Sequence, residues 1–114
     1  MTDKNILSLA KRILSQPTSP FCEGFVLQEI KKIAEERNLP YYSDSAGNLI
    51  LGIRSKKDLT TRPRLLLFAH TDHPGFRITK SGDREVEALW MGGAPFDKMK
   101  GSRVAIFDPQ TGER

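Results

Sequence analysis

The sequence predicts an α/β fold on three observations. Two segments of helical apolar period open the chain, an unbroken apolar run occupies its middle, and short β-type segments parted by Gly and Pro turns fill its last third. A length of 114 residues with 38% hydrophobic content supports a modest core. The charged residues, 28% of the chain and mixed in sign, exclude a fibrous or compositionally disordered protein.

Ile6, Leu9, Ala10, Ile13 and Leu14 recur at the i, i+3, i+4, i+7, i+8 spacing. That spacing predicts an amphipathic helix beginning near Asp3, a plausible cap, and ending before Pro17. The two-proline turn over residues 16–20 leads to a second helix over about 22–37, with Val26, Ile30, Ile33 and Ala34 as its apolar stripe and Asn38 and Pro40 as its stop. The period then changes. Residues 39–42 and 49–53 read as strands around an Asp44-Ser45-Ala46-Gly47-Asn48 turn, which is a hairpin signal.

A polar loop over 55–63 precedes residues 64–70, whose apolar run at 65–69 predicts a strand buried on both faces of a sheet and covered by helices. Residues 76–79, 85–90 and 104–107 read as further short strands, with turns at 81–83, 92–95 and 109–112 and no helix after Arg37. The change from mixed α/β to all-β places a domain boundary at Gly75, dividing the chain into residues 1–75 and 76–114.

The segment His70-Thr71-Asp72-His73-Pro74-Gly75 follows the predicted buried strand directly, at the end where open α/β sheets place their sites. A neutral imidazole is a common zinc ligand, and its second ring nitrogen normally donates to a carboxylate or carbonyl that fixes its tautomer. Two positions apart on an extended segment, His70 and Asp72 point to the same side, so Asp72 is placed to orient His70. A His beside an Asp is more often a surface or satisfied-core pair. Against that stand the position at the mouth of a buried strand and the sharp exit made by Pro74 and Gly75.

Charge and cysteine content narrow the classes further. The net charge of +4 comes from 18 Lys and Arg spread in short groups, none longer than a few residues, so they read as solvated faces. Nucleic-acid binding would gather them on one face with stacking aromatics, and no nucleic acid is expected as a partner. A single cysteine, Cys22, excludes an intrachain disulfide framework and fits a reducing compartment. Near a helix start it could be a reactive thiol, but a small buried hydrophobe is the commoner role. No signal peptide is evident and the longest apolar run is far too short to span a bilayer, so a cytoplasmic protein with no membrane partner is expected.

Several of these motifs, in this order, resemble the opening of the glutamyl-aminopeptidase and tetrahedral-aminopeptidase family of two-metal peptidases. They are a leading helix, a proline turn before a second helix (17–23), Asp44-x-x-Gly47-Asn48 followed by Leu49-Ile50, and an apolar strand into His70-x-Asp72-x-x-Gly75-Phe76. Gly92-Gly93 and Gly101-x-Arg103-Val104 follow. The resemblance spans nearly the whole chain and departs from the family at His73 and Pro74, where Glu and a small apolar residue usually stand.

Carried over position by position, the resemblance implies His70 as a ligand of one of two divalent metal ions, zinc or cobalt, and Asp72 as its orienting, catalytically required neighbour. It implies a peptide substrate from which one metal and a metal-activated water, delivered through a Glu base, release the N-terminal residue. It also implies homo-oligomers through an inserted β domain beginning at residue 76. The family's remaining ligands lie in sequence well beyond position 114, so the expectation for these residues alone is an N-terminal fragment, inactive by itself. The alternative from a different class is a non-catalytic binding or scaffold module with a degenerate site.

Overall fold

In a computed structural model describing residues 3–60, 65–93 and 95–114, the first helix, α1, runs Asp3–Leu14, and the second, α2, runs Gly24–Glu36. The chain divides into two compact units, Met1–Gln16 with Val26–His70, and Pro17–Phe25 with Thr71–Arg114. Among the described residues they hold two α-helices and two small antiparallel sheets, a small mixed α/β fold.

In the first unit, the buried residues Val26, Ile33 and Ala34 lie on the apolar stripe of α2, at positions i, i+7 and i+8. Arg12 of α1 ties the helices together. Its Nε donates to Glu29 Oε1 at 2.7 Å, while Nη1 and Nη2 donate to the two carboxylate oxygens of Glu36 at 2.7 and 2.9 Å. This bidentate bond from Arg12 holds the Glu36 carboxyl below the usual carboxylate range.

Helix α2 ends as Asn38 and Pro40 predict. Asn38 takes the left-handed conformation (φ 53°), the Leu39 amide donates to the Ala34 carbonyl at 2.8 Å and the Asn38 amide to Glu35 at 3.0 Å. This pair of bonds is a Schellman ending, with Asn in the position usually held by Gly. Strands β1 (Tyr41–Ser43) and β2 (Leu49–Leu51) then pair antiparallel, Ser43 opposite Leu49. Asp44 Oδ1 accepts from the Ala46 and Asn48 amides at 2.9 and 2.8 Å, Oδ2 accepts from the Asn48 side chain at 2.9 Å, and Gly47 supplies the required positive φ of 89°.

The second unit is built on strands β3 (Gly75–Ser81) and β4 (Val86–Met91), again antiparallel. Ile78 faces Ala88 and Lys80 faces Glu87, so Thr79 is an extra residue, a bulge whose hydroxyl donates to the Glu87 carbonyl. Phe76 and Trp90 are cross-strand partners with ring centroids 4.9 Å apart, and Phe96 meets both edge-on at 6.3 and 6.0 Å. The predicted turn at 109–112 is organised by Asp108, whose carboxylate accepts from the Gln110 and Thr111 amides.

Three expectations are corrected. The run at 65–69 forms no strand and is not buried: Leu65, Leu66, Leu67 and Phe68 are 75%, 54%, 82% and 87% exposed. A strand exists only through its ladder, and neither two-stranded sheet pairs with this run, so its apolar character has no neighbour to act on. Residues 104–107 likewise form no strand, for the same want of a partner. Short 3-10 turns do follow Arg37, at Lys56–Thr60 and Phe96–Met99. The first is set by Asp58, which accepts from the Arg54 and Ser55 amides. Pro63 and Arg64 of the predicted loop and strand, Ala94 of a predicted turn, and the capping side chain of Asp3 lie outside the described residues.

Candidate functional site

His70 is the last residue of the first unit and is exposed, following the bare apolar run; Thr71 and Asp72 belong to the second unit and are half-buried. His73 and Pro74 are exposed, and Gly75 opens β3. The loop from Thr71 to Gly75 is therefore an entry into a strand, and its backbone is fixed by three features of the second unit.

The first is Thr18, whose hydroxyl donates to the Thr71 carbonyl at 3.1 Å across a separation of 53 residues. The second is the approach of Ser19 to Gly75, where a Cβ on Gly75 would stand 3.1 Å from the Ser19 Cβ. A larger residue at this position would require the proline turn to give by a few tenths of an ångström. The third is Gly92, just past β4, whose φ is +138° and whose added Cβ would lie 2.8 Å from the Pro74 Cβ. Thus the proline turn, Gly75 and Gly92, recognised in sequence only as ordered motifs, converge on the loop that carries Asp72. Sequence reading gave Thr18 and Ser19 no role, because the contacts are long-range and neither residue type announces them.

Described residues of the second unit line a groove and a smaller cavity. A groove of about 930 Å³ runs along the Pro17–Cys22 turn, the start of β3 and residues 102–109, with Arg77 and Arg103 among its apolar lining. Cys22 lies on this groove as a half-buried free thiol. A smaller cavity of about 340 Å³ is lined by Phe76, Phe96, Asp97, Met99 and Lys100.

Among the described residues, no group of three His, Cys, Asp or Glu side chains could hold a metal ion. A catalytic zinc takes three protein ligands plus water, so the described residues do not by themselves fit the two-metal centre that the resemblance implies. Among the described residues, no helix is long and apolar enough to cross a membrane. The chain matches no protein-family model, no curated protein and no solved structure with which it was compared.

Proposed function

We propose that this chain is the N-terminal part of a metal-dependent aminopeptidase, with His70 as a ligand of one of two divalent ions, zinc or cobalt, and Asp72 as the residue that orients it. The observation that supports the reading is the anchored loop that bears Asp72: Thr18, Ser19 and Gly92 constrain its backbone within the second unit, as a carboxylate that must orient a ligand requires. The 930 Å³ groove beside Gly75 supports a peptide substrate, since it is apolar, open and large enough for a few residues. The intact enzyme removes N-terminal residues from peptides in the cytoplasm as a homo-oligomer, and its remaining metal ligands come from sequence beyond these 114 residues.

The test is made on the product of the parent gene read past the codon for Arg114. His70→Ala loses one metal equivalent per chain by elemental analysis, together with nearly all release of amino acids from peptide amides. Unchanged metal content sinks the proposal. Asp72→Asn keeps the fold, by circular dichroism, and lowers metal affinity or activity roughly ten- to a hundredfold; wild-type behaviour in both assays removes Asp72 from the site. The second reading, a non-catalytic binding module, draws its support from the exposed apolar residues at 65–68. A parent protein with no bound metal selects it.

A further inference from the structure

The smaller cavity of the second unit, about 340 Å³, has apolar walls from Phe76, Phe96 and Met99 and is flanked by Asp97 and Lys100. Its aromatic wall is braced. Trp90 packs on Phe76 and Phe96 with ring centroids 4.9 and 6.0 Å away, and the two phenyl rings meet edge-on at 6.3 Å. Asp97 lies in the 3-10 turn Phe96–Met99, and Lys100 follows as its cap. In such a turn side chains three apart eclipse, with about 6 Å of rise between them, so a carboxylate and an ammonium stand on one side of one cavity. Among the described residues neither makes an ion pair, with the other or with a third group.

We propose that this cavity binds a free apolar α-amino acid, its side chain among Phe76, Phe96 and Met99, its ammonium against Asp97 and its carboxylate against Lys100. A zwitterion answers both charges at once, whereas a simple anion or cation would meet one of the two with like charge. The spacing agrees. The charged groups of an α-amino acid sit on adjacent carbons, so with a hydrogen bond at each end they call for head groups roughly 6–8 Å apart, the separation that the turn sets. A volume of about 340 Å³ is at the small end for ligand sites, room for one amino acid rather than a longer peptide.

Phe96, Asp97 and Lys100 are exposed, so both charged contacts act close to water and are weak. The Kd is accordingly on the order of 1 mM. This site does not rest on the metallopeptidase reading. Its test needs no metal and no activity, so either proposal stands or falls alone.

Trp90, the one tryptophan of the 114-residue chain, is the reporter, because it touches both phenyl walls. L-leucine shifts its emission saturably. Glycine lacks the side chain, N-acetyl-leucine the ammonium and leucinamide the carboxylate, and each binds at least tenfold more weakly. Asp97→Asn erases the preference for leucine over N-acetyl-leucine, and Lys100→Gln erases the preference over leucinamide. Lys98→Gln, which removes a neighbouring charge outside the cavity lining, leaves leucine binding unchanged. Three results overturn the inference: no saturable shift up to about 20 mM leucine in a chain folded by circular dichroism, blocked derivatives that bind as well as leucine, or preferences that survive both substitutions.

Discussion

Asp44 is exposed at the tip of a hairpin, yet it organises the whole turn by accepting three hydrogen bonds from residues two and four positions on. Those bonds favour its ionised form. The Asn48 side chain contributes most and the Asn48 amide next, lowering the Asp44 pKa below its ordinary value of 3.8. The unfolded chain therefore takes up this proton more readily than the folded one. The turn's stabilisation is complete above the ordinary value and is lost as the pH falls through the lowered one. Below about pH 4, the amide signals of Ala46 and Asn48 should move together and their exchange protection fall, while Asp44→Asn should abolish the pH dependence. Signals that stay fixed down to pH 2 would count against this account. His70 and Asp72 stand out in the sequence for a different reason, a His and a carboxylate two apart ahead of Pro and Gly, and the roles proposed for them rest on that pattern.

At the scale of elements, what was legible is what local chemistry decides. The end of α2 follows from Asn38 and the β1–β2 turn from Asp44, Gly47 and Asn48, because each needs only residues within one turn of itself. Residues 65–69 were misread for the complementary reason. An apolar run states what a segment would bury if a neighbour existed, but a ladder partner is a property of distant sequence. The anchoring of the 71–75 loop was illegible on the same ground. Gly92 shows how strongly that anchoring constrains the element. A Cβ there meets Pro74 at 2.8 Å on a backbone with φ +138°, whereas nothing lies within 4 Å of one on Gly93. Gly92→Ala should cost about 1–3 kcal/mol in denaturant unfolding and shift the Thr71–Gly75 backbone signals; Gly93→Ala should do neither. Equal effects at the two positions would remove Pro74 from the explanation.

For the molecule as a whole, among the described residues only Val26, Ile33 and Ala34 are buried, whereas large apolar side chains from Ile6 to Phe107 remain exposed. Such a chain has little hydrophobic stabilisation to set against its conformational entropy, and among the described residues no trio of metal ligands is assembled. Titration of the 114-residue chain with zinc should give weak heats without a stoichiometric break, and no amino acid should be released from peptide amides. Tight one-to-one binding or measurable turnover would overturn the fragment reading. The contact between Thr18 and Thr71 bears on a different matter, the order in which the chain acquires its shape. Residues 17–25 belong to the second unit but are spelled out between two helical stretches of the first, so the polypeptide passes from one unit to the other three times. During synthesis the proline turn leaves the ribosome long before the loop it must hold. Closing that interval of 53 residues costs roughly 3–4 kcal/mol in chain entropy, so α2 and the β1–β2 hairpin can form early while the loop bearing Asp72 is fixed late. No single cut can release either unit as one continuous peptide, and a nick between Gln16 and Pro17 would leave the Thr18 anchor on the same piece as the loop it holds.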